Sequence, residues 1–100
     1  MKKLLIMPQA KLDLFDIWLY IANDSIEAAD RVDKAIKAAI RDLRMFPGQG
    51  HKRTEVKDSR YLFWNVYSYV IAYYYDDKAL YVVRVLHGSR NFRTIFRKRK

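Results

Sequence analysis

Between Arg60 and His87 the chain reads RYLFWNVYSYVIAYYYDDKALYVVRVLH, and nearly every position is aromatic, β-branched or otherwise apolar. Such residues suit a half-buried pleated sheet. The run is interrupted only at VYS (66–68) and DDK (76–78), which predicts strands over 60–66, 68–75 and 79–87. Strands joined this closely are neighbours and antiparallel. Asp and Lys at 76–78 are acceptable turn residues.

The chain ahead of this run is helical in pattern. Pro8 suits the first turn of a helix, where its missing N–H costs nothing. Ala10, Leu14, Ile17 and Ile21 then fall on one face of a helix over 8–22. Leu12, Phe15 and Leu19 make a second stripe on nearly the opposite side. A helix apolar on two faces is either buried on both or has an outside partner. NDSI at 23–26 breaks the pattern, and Asp24 with Glu27 reads as a capping box for a second helix reaching about Phe46. Ala29, Val32, Ile36, Ala39, Ile40 and Leu43 are its inner face, and Pro47-Gly48 ends it. KLLIM before Pro8 reads as a first strand. A polar connector, GQGHKRTEVKDS, leads into the sheet, and NFRTIF after it holds about one helical turn. The expected fold class is α+β. A helical hairpin packs on a mostly antiparallel sheet in two layers, in the order β-α-α-β-β-β with a short C-terminal helical turn.

One hundred residues fit one small domain, taken as residues 1–96, followed by a basic and mobile tail at 97–100. No cysteine is present, which excludes disulfides and thiolate metal sites. The apolar run of MKKLLIMP is too short for a signal-peptide core of roughly 7–15 residues. No segment approaches the ~20 apolar residues of a membrane span. A soluble, cytoplasmic protein is expected. The formal net charge of +9 argues for an anionic partner, nucleic acid or acidic protein.

Catalytic motifs are scarce. There is no G-x-S-x-G elbow and no glycine-rich phosphate loop. His51 and His87 do not make a metal-ligand spacing. Neither a metal nor a cofactor is expected, and Asp76-Asp77 reads as a turn. In the last strand, alternation puts Tyr81, Val83, Val85 and His87 on one face and Leu80, Val82, Arg84 and Leu86 on the other. His87 is expected to end the strand by packing its ring and bonding a nearby carbonyl. Arg84, flanked by apolar residues, needs a partner. That partner is either an acid on the helical hairpin, such as Asp13 or Asp16, or a bound phosphate or carboxylate. Gly88 lets the chain turn, and Ser89, Arg90, Asn91 and Arg93 then form a rim. Phe92 and Phe96 fit equally a nucleic-acid surface and a short amphipathic helix turned inward.

Taken together, MPQAKLDLFDIWLYIA, FPGQG and the run from Arg60 to Asn91 resemble the ParE branch of the ParE/RelE toxins of bacterial toxin–antitoxin pairs. The most specific pieces are Leu14, Ile17-Trp18 and Tyr20-Ile21-Ala22, then Phe46-Pro47, then Arg84-Val85-Leu86-His87-Gly88 with Arg90. The resemblance implies the same β-α-α-β-β-β fold and a toxin that binds DNA gyrase, so that cleaved DNA accumulates and replication stalls. It implies no catalysis by the toxin itself. It also implies an antitoxin, expected as a ribbon-helix-helix protein whose acidic C-terminal segment wraps the toxin. Leu12, Phe15 and Leu19 are then the antitoxin groove, Ser89, Arg90, Asn91 and Arg93 the target-binding rim, and Trp18, Arg84, His87 and Gly88 structural. The alternative is a RelE-like, ribosome-dependent and metal-independent ribonuclease using His87, Arg84 and Arg90. The chain departs from that nuclease pattern because no tyrosine follows Tyr81. It departs from common ParE sequences in carrying GSRN where GRRD is frequent.

Overall fold

The three C-terminal runs form most of a four-stranded sheet in the computed structural model, which describes residues 2–97. They are β2 (Leu62–Val66), β3 (Tyr69–Tyr75) and β4 (Ala79–His87), and β1 is Lys3–Ile6. The sheet order is β1-β4-β3-β2. The β2–β3 and β3–β4 pairs are antiparallel, and β1 joins β4 in parallel. Helices α1 (Pro8–Ala22) and α2 (Ile26–Met45) pack as a hairpin on one face of the sheet, so the expected α+β architecture and order hold. Residues 98–100, most of the expected basic tail, lie outside the described residues.

The main core lies between hairpin and sheet. Ala10, Ile36, Ile40 and Leu43 from the helices meet Ile71, Tyr73, Leu80, Val82 and Val85 from the strands. Leu14, Ile17 and Ile21 pack against this cluster from α1. Trp18 bridges the two helices, its Nε1–H donating to Asp30 Oδ1 at 2.8 Å. A second, smaller cluster closes the other face of the sheet. There Phe92 from α3 (Phe92–Ile95) and Val56 from the connector bury Phe63, Val70, Ala72 and Leu86. The polar look of the connector conceals this role for Val56.

Two local expectations are corrected. The N-cap of α2 is Ser25, not Asp24. Ser25 is extended at φ −158°, and its hydroxyl accepts from the Ala28 N–H at 3.1 Å. Asp24 belongs to the turn before it, where its N–H bonds the Ile21 carbonyl. Glu27 falls in the first turn, where its charge suits the helix dipole without forming a capping box. The second correction concerns β4. Ala72 pairs with Arg84 but Tyr73 pairs with Val82, so Val83 is the extra residue of a bulge. Alternation slips there. Val82 and Val85 both face the helices while Leu86 faces the second cluster.

The bulge lies where β1 has run out, since the β1–β4 ladder ends at Ile6↔Val82. Beyond that point, among the described residues, no strand lies beside that edge of β4. Asp13 of α1 takes the place of one, accepting the Val85 N–H at 3.0 Å on Oδ2.

Tyr73 ties the connector to the core. Its fully buried hydroxyl donates to the Pro47 carbonyl at 2.7 Å and accepts from the Gly50 N–H at 2.9 Å. Burial pushes the phenol pKa up, and the Gly50 bond opposes part of that shift. The backbone at Gly50 approaches so closely that a Cβ there would overlap the Tyr73 ring. Tyr73→Phe strands a donor and an acceptor and is expected to cost about 1–3 kcal/mol, read by urea unfolding. An unchanged midpoint would show that water replaces both bonds.

Candidate functional site

Three surfaces hold the candidate residues. The first is the outer stripe of α1. Leu12, Phe15 and Leu19 are 56%, 59% and 47% exposed, so the helix is apolar on a buried face and on an open one. Shallow grooves run on both sides of the stripe. One lies toward α2 and is lined by Phe15, Trp18, Lys11 and Lys37. The other lies toward the sheet, where Leu12 meets Met7, Tyr61, Tyr74 and Val83. Met7 precedes the helix and so carries no helical-period signal.

The second surface is the rim after β4, and most of its polar groups are engaged locally. The Gly88 N–H donates to the Ser68 carbonyl at 2.8 Å, stitching the strand end to the β2–β3 turn. His87 does not bond a carbonyl as expected. Its Nδ1 accepts from the Ser89 N–H at 3.1 Å and lies 2.8 Å from Ser89 Oγ, while its ring meets Tyr69 edge-on. A ring nitrogen that accepts from an N–H carries no proton, so the neutral ring is protonated on Nε2. Asn91 is the N-cap of α3, its Oδ1 accepting the Thr94 N–H at 3.1 Å. Phe92 is buried against Phe63, which selects the inward-turned helix over an aromatic nucleic-acid surface at that residue. Arg90 and Arg93 remain exposed. Four-residue α3 is thus a plug whose cap and buried face are both spoken for.

The third element is Arg84. Its guanidinium grips Asp13 with two bonds, Nε to Oδ2 at 2.8 Å and Nη2 to Oδ1 at 3.0 Å. Asp13 is the buried charged residue of the described chain, 7% exposed, and with the Val85 N–H it accepts three bonds. Asp13 takes this role because it sits three residues after Ala10 and faces the sheet edge. Asp16, one turn on, opens to the cleft described next. Asp76 works as the sequence suggests. Its carboxyl accepts the Ala79 and Lys78 N–H groups, both at 2.9 Å, and these bonds hold its pKa below the ordinary value.

Between the helical hairpin and the β3–β4 end lies a cleft of about 720 Å³. It brings together His87, Ser89 and Arg90 with Asp16, Tyr20, Arg31 and Tyr67. It includes neither Asn91 nor Arg93, and none of the Leu12, Phe15 and Leu19 stripe. Tyr20, Arg31 and Tyr67 come from three separate elements, so no spacing in the sequence joins them. Among the described residues no group of three or more His, Asp or Glu could hold a metal ion, and no helix is long and apolar enough to cross a membrane.

A family model described as the ParE toxin of the type II toxin–antitoxin system parDE matches residues 4–92. No curated protein matches the sequence. Among solved structures the chain is similar to one described as the chromosomal ParDE TA system from P. aeruginosa, with a TM-score of 0.72 at 18% identity, over 87% of this chain and 96% of that one. At that identity the likeness is one of fold.

The geometry of Arg84 yields a test. Arg84→Ala leaves a buried carboxylate with one N–H donor and is expected to destabilise the fold by about 3 kcal/mol. Asp13→Ala should be similarly harmful, and the double mutant less so than the sum, because the two share one interaction. Chemical denaturation of the four proteins decides. A loss below about 0.5 kcal/mol for Arg84→Ala is the range of ordinary surface changes and would remove the structural role.

Proposed function

This chain belongs to the ParE toxin family of type II toxin–antitoxin systems, and we propose that it arrests growth by binding DNA gyrase, in the cytoplasm, and that a cognate antitoxin neutralises it. The observation that carries the reading is the family match over residues 4–92. The local chemistry supports binding over cleavage. A metal-free ribonuclease needs a base for the 2′-hydroxyl, an acid for the leaving oxygen and cations for the phosphate. Of the residues open to that use, Arg84 is held bidentate by Asp13 and His87 Nδ1 is taken by Ser89. That leaves His87 Nε2 with the exposed Arg90 and Arg93, and one imidazole nitrogen with two cations suits a binding surface better than a proton-transfer pair.

The antitoxin reading rests on the open α1 stripe. Apolar side chains at Leu12, Phe15 and Leu19 with a groove on either side suit an amphipathic helix laid across them. An acidic segment matches the +9 charge of the chain and gains association rate from it.

Two measurements test these statements. Phe15→Asp places a carboxylate in the groove and is expected to weaken antitoxin binding by about 3 kcal/mol, roughly 150-fold, with little change in the melting temperature of the free toxin. Calorimetric affinity equal to wild type would place the antitoxin elsewhere. For the target, purified gyrase is assayed for supercoiling with wild-type toxin and with Arg90→Glu/Arg93→Glu, beside mRNA cleavage on translating ribosomes. Inhibition by wild type, lost in the charge-reversed but folded variant, is the expected result. Codon-phased mRNA cuts that vanish in His87→Gln, with gyrase untouched, would make the chain a nuclease instead.

A further inference from the structure

Tyr67 is the first residue of the two-residue turn between β2 and β3, and its φ is 53°. Among the described residues it is the sole non-glycine with positive φ. For a bulky aromatic residue this backbone state is uncommon and strained, whereas glycine or asparagine adopts it readily. Packing does not account for a tyrosine here, because the residue is 64% exposed. The strained turn instead sets an exposed aromatic residue in the lining of the cleft, and Tyr20 of α1, 78% exposed, lines it as well. Ile17 and Val85 supply apolar lining to the same cleft. Arg31 and Arg90 bring two positive charges to the same cleft. Of its two acids, Asp13 is neutralised by Arg84, so Asp16 is the one left to oppose them.

Exposed tyrosines beside arginines, over an apolar floor, are the composition of an interface hot spot. The floor fits an aliphatic or aromatic side chain, and the cations fit carboxylates. A nucleic-acid backbone suits the cleft less well, since the apolar Ile17 and Val85 offer a sugar–phosphate chain nothing to pair with. We propose that Tyr67 and Tyr20 are the aromatic anchors with which this cleft grips an acidic segment of the toxin's protein target, with Arg31 and Arg90 pairing its carboxylates. This rests on the binding-toxin reading above and assigns the target a surface separate from the Leu12, Phe15 and Leu19 stripe.

The test is Tyr67→Asn, which keeps the turn conformation and removes the ring, with Arg31→Glu beside it. Each is measured for growth arrest on titrated expression, for melting temperature and for affinity toward the cognate antitoxin. Tyr67→Asn is expected to melt at or a few degrees above wild type, to need at least tenfold more expression for the same arrest, and to bind antitoxin within twofold of wild type. Arg31→Glu should show the same loss of arrest. Undiminished arrest by Tyr67→Asn overturns the anchor, as does an equal loss of antitoxin affinity or a melting temperature lowered by more than about 5 °C. Full arrest by Arg31→Glu overturns the acidic character of the bound segment. A wild-type chain that arrests growth but leaves purified gyrase unaffected removes the gyrase reading alone, and the anchor is then judged by the growth data.

Discussion

The buried Asp13 carboxylate is the point on which the rest of the molecule turns. A charge this far from water is tolerated only when its lone pairs are filled. Arg84 fills two and the Val85 N–H a third. The arrangement does two jobs at once. It docks α1 on the sheet, and it finishes an edge that β1 is too short to cover. An open edge is a template for unwanted pairing, and here a helix side chain supplies the acceptor that a longer strand would have supplied.

That constraint also decides how α1 is divided. With Asp13 pinned to β4, Ala10, Leu14, Ile17 and Ile21 must face the core and Leu12, Phe15 and Leu19 must face outward. The same anchoring sets Tyr20 above the far end of β4, where the chain turns at Gly88. The outward stripe and the cleft are therefore carried by one helix, yet the cleft shares no lining residue with the grooves beside the stripe.

The strand end shows how little of a polar motif is left over once the fold has used it. His87, Ser89 and Asn91 look like a reactive constellation in the sequence. In space His87 and Ser89 bond each other, Asn91 caps α3, and Phe92 plugs the second cluster. Beside the exposed His87 ring, the cleft presents the cations Arg31 and Arg90 and the rings of Tyr20 and Tyr67, which recognise charge and shape without needing a shifted proton. Tyr67 stands apart because its backbone is strained without a packing reason, and strain of that kind tends to collect at functional sites.

The elements and their order were legible in the pattern of residues along the chain. Strand breaks of two or three residues allow only hairpins, and apolar spacings of three and four residues set both faces of α1 before any packing is known. These signals are local, carried by residues close along the chain. The residue pattern also left Arg84 two kinds of partner, an acid on the hairpin such as Asp13 or Asp16 or a bound anion, and marked Leu12, Phe15 and Leu19 as an unpaired face. Tertiary packing selected Asp13, because the choice depends on where β1 ends and leaves the edge of β4 open. It moved the cap of α2 from Asp24 to Ser25, since the turn consumes Asp24 first. It slipped the alternation of β4 at Val83, because a bulge depends on the partner strand and leaves no mark on the bulged one. And it assembled Tyr20, Arg31, Tyr67 and Arg90 around one cleft from four separate stretches of chain, a nearness that no periodicity encodes and that only the packing of helix hairpin on sheet creates.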